Sequence, residues 1–99
     1  MIIVMGTVRL QPEALLAAKP HMRAMLDASS AEPGCLHYAY SQDLFDPGLF
    51  HVIEQWRDRE ALKLHFQTPH MTAWRAVWPN LGITDRDLVL IEAGEPEPL

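Results

Sequence analysis

Two histidines, a glutamate and a tryptophan lie close together in the segment EQWRDREALKLHFQTPH, residues 54–70, and their spacing limits what chemistry they can share. His65 and His70 are five apart, so a continuous helix would set them about 140° apart around its axis. A zinc pair on one helix needs a spacing of four. Thr68-Pro69 also interrupts the helix between them, and no carboxylate or cysteine follows at a ligand spacing. The segment therefore predicts no metal site. His70 reads as a partly exposed residue near a helix start. His65 falls on or beside the inward stripe with Ala61 and Leu62, either as a satisfied core histidine or as a proton acceptor under a helical lid, where neutral imidazole works near pH 7. Glu54 shares a strand face with Phe50, Val52 and Trp56. A carboxylate there needs a partner or a raised pKa, and Arg9 or an arginine of a second subunit is the simplest structural partner. Tyr38 and Tyr40 share a face and can bond the polar edge of a ligand. Trp56, Trp74 and Trp78 either pack the core or wall a cavity for a flat ring.

The elements that would position these side chains follow from periodicity. Ile2–Leu10 reads as a strand ending before Gln11-Pro12. Pro12 suits a first helical residue, and Leu15, Ala18, Met22, Met25 and Leu26 then recur at helix spacing, with Pro20 expected to kink that helix. Glu32-Pro33-Gly34 stops it, Pro33-Gly34 fitting the centre of a type II turn. Residues 35–42 alternate as a strand, with Leu36, Tyr38 and Tyr40 on one face and Cys35, His37, Ala39 and Ser41 on the other. DLFDPG is the turn to a third strand, 49–56. Asp58 caps a helix, Thr68-Pro69 starts another, and Pro79, Asn80 and Gly82 end it. Asp87–Glu92 is the last strand.

Strand, helix, strand, strand, helix pair, strand is the α+β, ferredoxin-like split βαβ order: a four-stranded antiparallel sheet with helices on one face. The expected domain is residues 1–93, with 94–99 a frayed acidic tail. IIVM and LVLI are apolar on both sides, so the uncovered sheet face needs a partner, most simply a second copy of the chain. A hydrophobic content of 48% points the same way, being high for a soluble domain. A net charge of −5 argues against nucleic acid or an anionic membrane as partners. The start is no signal peptide, no segment reaches the roughly 20 apolar residues that span a bilayer, and the single Cys35 suits a reducing cytoplasm. No phosphate loop, dinucleotide fingerprint or nucleophile elbow is present.

AEPGCLHY at 31–38 and HVIEQWRDREALKLHFQTPH at 51–70 together resemble the antibiotic biosynthesis monooxygenase family, whose members carry a similar E-P-G-C-x-x-Y, then E-x-W, D-x-E-A-L and H-x-x-T-P-H. The resemblance implies a dimeric α/β barrel with a cavity between each subunit's sheet and helices. It implies monooxygenation of a small aromatic or quinol by molecular oxygen, without metal, flavin or other cofactor. Carried onto this chain, His65, Tyr38 and Tyr40 would move the proton, while Trp56, Trp74, Glu54 and Phe66 would shape the substrate site. Haem-degrading relatives carry a late helical histidine that AWRAVW lacks. Other relatives isomerise a small phosphorylated metabolite, which here would need Arg9, Arg57 or Lys63 in the cavity. A non-catalytic dimeric binding module is the third alternative.

Overall fold

Alternation of apolar and polar residues produces the sheet of this chain, and the two proline-punctuated amphipathic segments produce its lid. The structure is a computed structural model describing residues 1–99. Its elements are β1 (Ile2–Arg9), a 3-10 turn (Pro12–Ala14), α1 (Leu15–Ser30), β2 (Cys35–Gln42), β3 (Leu49–Trp56), α2 (Arg59–Phe66), α3 (Pro69–Leu81) and β4 (Thr84–Glu92). The four strands form one antiparallel sheet in the order β2-β3-β1-β4, the ferredoxin-like arrangement. No helix is long and apolar enough to cross a membrane.

One face of the sheet meets the helices. Val4, Val8, Phe50, Val52 and Trp56 are buried there against Ala18 and Met25 of α1, Ala61 and Leu62 of α2, and Met71 and Trp74 of α3. The helix starts follow their caps. The Asp58 carboxylate accepts from the Ala61 N–H at 2.8 Å, and the Thr68 hydroxyl accepts from the Met71 N–H at 3.4 Å. Each satisfies a backbone donor that the first helical turn leaves unpaired.

On the opposite face the register places Ala39, Ile53, Met5 and Val89 in one row across the sheet, with Gln55, Ile3 and Ile91 beside it. Met5, Val89 and Ile91 are exposed in the single chain.

Several local expectations are corrected. Cys35 pairs with Trp56 while Tyr38 pairs with Glu54, because the register shifts between Cys35 and His37. This bulge puts Cys35 on the tyrosine face and turns Leu36 outward, 56% exposed. Gly34 is not at a positive φ, so the turn is not type II. Glycine is needed there because a Cβ would collide with the Ala61 methyl. β4 begins at Thr84 rather than Asp87, its polar start pairing with Arg9 across a second irregularity. α3 runs through Pro79 and ends at Gly82, whose φ of 66° is left-handed.

Candidate functional site

Strand parity brings Tyr38, Tyr40 and Glu54 to the helix-facing side of β2 and β3, and β4 adds Arg86, Leu88 and Leu90. Between these strands and the lid lies a cavity of about 360 Å³, closed by Val4, Leu62, Phe66 and Met71. Its wall is apolar with few polar groups converging on it, the composition expected of a small-molecule site.

Glu54 is the chemically distinctive group. It is 4% exposed, and its Oε1 accepts the Trp56 indole N–H at 2.9 Å. Burial pushes its carboxyl above the usual carboxylate range, while the Trp56 indole, the Tyr38 hydroxyl and the Arg86 guanidinium pull the other way. The tyrosines respond in the same direction. Burial pushes both the Tyr38 and Tyr40 phenols far toward the protonated form. They can donate a hydrogen bond to a ligand and do not supply a phenolate base. Arg86 rests on the Trp78 ring, its guanidinium carbon 4.1 Å from the centroid.

The aromatic residues form a layer behind this wall. Trp56 stacks on His65 with centroids 4.5 Å apart, and Tyr38 lies 5.6 Å from the same imidazole. Trp74 meets Tyr40 edge-on at 6.2 Å. Thus Tyr38, Tyr40, Glu54 and Phe66 line the cavity, whereas Trp56, Trp74 and His65 pack behind them.

The cationic residues considered for a phosphate site lie elsewhere. Arg9 pairs with Asp46 at 3.0 Å and not with Glu54, and Arg57 pairs with Asp58 at 3.3 Å. Neither they nor Lys63 line the cavity.

The two histidines do converge, contrary to the helix geometry. Their shared partner is Glu32, at the turn between α1 and β2. Its Oε2 lies 2.7 Å from His65 Nδ1 and 2.9 Å from His70 Nε2. The break at Thr68-Pro69 is the reason: it ends α2 and redirects the chain, so the two imidazoles face each other at 6.0 Å rather than diverging around one axis. Burial holds the His65 pKa below its usual value even with the Glu32 carboxylate adjacent, so the ring is neutral near pH 7.

Glu32 and Arg86 are therefore the two residues at these clusters that spacing missed. Arg86 had a signal in its parity with Leu88 and Leu90. Glu32 had none, since it lies 33 residues from His65 in sequence.

A split βαβ sheet with a mostly apolar cavity under its helical lid defines the α+β domain. The chain belongs to the antibiotic biosynthesis monooxygenase family, whose sequence model matches residues 1–77. It is similar over its full length to a crystal structure from Deinococcus radiodurans described as a candidate antibiotic biosynthesis monooxygenase. Identity is 30%, coverage is 100% of this chain and 98% of that one, and the TM-score is 0.89. Among sequences, it is 28% identical to the uncharacterised Synechocystis protein sll1783, covering 99% of this chain and 67% of that protein. It is also 25% identical to Bacillus subtilis YcnE, described as a candidate monooxygenase, covering 96% of this chain and all of YcnE.

Proposed function

We propose that this protein is a monooxygenase that inserts one atom of molecular oxygen into a small phenol, quinol or anthrone without metal or flavin. The observation that carries the reading is Glu54: a carboxylate buried in a largely apolar cavity of about 360 Å³, where burial raises its pKa. Such a group is suited to take a phenolic proton. The resulting phenolate oxygen finds donors in Tyr38, Tyr40 and Arg86, which line the same cavity. The electron-rich anion passes an electron to oxygen directly, and the two radicals combine to a peroxide. For a phenol with a free para position, loss of water from that peroxide gives the quinone. One oxygen atom enters the ring and the other leaves as water with the phenolic and ring hydrogens. The apolar lid of Leu62, Phe66 and Met71 keeps bulk water from these species. His65, Trp56 and Trp74 hold the wall in place from behind.

An oxygen electrode with a panel of hydroquinones, naphthols and anthrones, in the presence of a strong chelator, tests this. Saturable uptake of one oxygen per product formed, with one atom of labelled oxygen in the product and no hydrogen peroxide released, is the expected result. Uptake no faster than autoxidation across the panel would overturn it. Isomerisation of a phosphorylated metabolite is less well supported, because the cavity offers a single guanidinium.

The working unit we propose is a cytoplasmic homodimer through the outer sheet face. The row Ala39, Ile53, Met5 and Val89 is the core of that contact. Sedimentation should give twice the chain mass, and Met5→Asp should shift it to the single-chain value. A single-chain mass for the unsubstituted protein would refute the dimer.

A further inference from the structure

We propose that Glu32, His65 and His70 form a binding site for one divalent transition-metal ion of the zinc class, separate from the substrate cavity. The three candidate ligand atoms lie within 4.8 Å of one another. Two contacts are already set, at 2.7 and 2.9 Å from the shared Glu32 oxygen. With bonds of roughly 2.0–2.1 Å, tetrahedral ligand atoms sit about 3.3 Å apart. The two Glu32 contacts then open by about half an ångström, while the two ring nitrogens, within 4.8 Å of each other, settle to the same spacing.

The surroundings fit an ion with an open coordination position. The His65 side chain is fully buried, while Glu32 and His70 keep 14% and 22% of theirs exposed. His70 also lines a cleft of about 110 Å³ with Ala24, Met25 and Trp74, the side from which an ion and its waters can arrive. Two imidazoles and one carboxylate, with no thiolate, favour zinc, cobalt or nickel over magnesium or calcium.

His65 has to change tautomer on binding. Its Nε2 is buried without any hydrogen-bond partner. Ligation through Nδ1 requires the ring proton to move to the other nitrogen. Ligation makes Nε2 a buried donor without an acceptor, a cost that the metal bonds have to exceed. Bound there, the ion would tie the α1–β2 turn to the end of α2 and the start of α3. Without metal the same residues are a hydrogen-bonded clamp, and the two readings differ in what solution measurements show.

The test is calorimetric titration of chelator-stripped protein with zinc chloride, repeated with cobalt chloride. One ion should bind per chain. Loss of a direct ligand exceeds the 10–100-fold cost of losing a supporting group, so His70→Ala and Glu32→Gln should each weaken binding by at least about 100-fold. His51→Ala, at the surface pair with Asp43, should leave it unchanged. In unsubstituted protein with nitrogen-labelled histidine, zinc should move the His65 proton from Nδ1 to Nε2. This readout stands even where a substituted chain fails to fold. No saturable binding, binding that survives both substitutions, or an unchanged His65 tautomer would overturn the proposal. None of these measurements depends on oxygenation, so this site and the proposed activity fail separately.

Discussion

Glu54→Gln is expected to slow quinol oxygenation by about 100- to 10,000-fold, the usual contribution of a positioned base, while making the protein more stable at pH 7. The two effects share a cause. Glutamine keeps an oxygen to accept the Trp56 indole N–H that Glu54 Oε1 now accepts at 2.9 Å, but it cannot take a proton. The stability gain follows from linkage. The carboxyl pKa is raised in the folded state above its ordinary value of 4.5, so above that value the folded chain binds more protons than the unfolded one. The stabilisation that Glu54 contributes is fully present below the ordinary value and is lost as pH rises through the folded value. Glutamine removes that loss. Activity runs the other way: kcat/KM of the unsubstituted protein should fall as pH drops through the raised carboxyl pKa, as the base becomes protonated. Urea unfolding at several pH values, beside oxygen uptake on the same preparations, checks both. A glutamine variant with undiminished turnover would remove Glu54 from the chemistry.

Trp56→Ala should cost more stability than any cavity-lining substitution. Trp56 is fully buried, and a core tryptophan replaced by alanine costs about 3–5 kcal/mol. Its indole N–H is also a hydrogen-bond partner of the buried Glu54 carboxylate, and leaving that acceptor unmatched adds about 1–3 kcal/mol. The sum approaches the whole stability of a domain this size. Trp56→Phe keeps a ring against His65 and loses the donor with part of the packed volume, so it should cost at least about 1–3 kcal/mol and less than the alanine change. Chemical denaturation of the three proteins gives the comparison. A loss below 1 kcal/mol for the alanine variant would contradict the packing described here.

What could be read from the sequence was whatever repeats locally. Phe50, Val52, Glu54 and Trp56 alternate cleanly, so the sheet and the placing of one acid on an apolar strand face were legible, but which face meets the helices was not, since the sheet is apolar on both sides. The caps at Asp58 and Thr68 were legible for the same reason, being set by neighbours within one turn. Leu36 shows where local reading ends. A single bulged residue inverts the face of everything before it, and nothing in CLHY marks the bulge. Glu32 shows the other limit. Its carboxylate joins histidines 33 and 38 residues away, a meeting produced only when the turn and both helices are docked. Arg86 lay between these cases: it shares parity with Leu88 and Leu90, but the polar run TDRD gives little sign that the strand reaches it until paired with β1.

The close approach of Gly34 to Ala61 pins one end of the lid to the sheet. There is no room for a methyl group between them, and the Gly34 carbonyl accepts the Arg57 N–H at 2.8 Å, so the first turn of α2 is bolted to the start of β2. The far end carries Phe66, 49% exposed, opposite Leu90, 40% exposed, both on the cavity wall. For the aromatic guest proposed above, the exposed edge of the cavity at Phe66 and Leu90 is the expected way in, at the end of α2 opposite the Gly34–Ala61 contact.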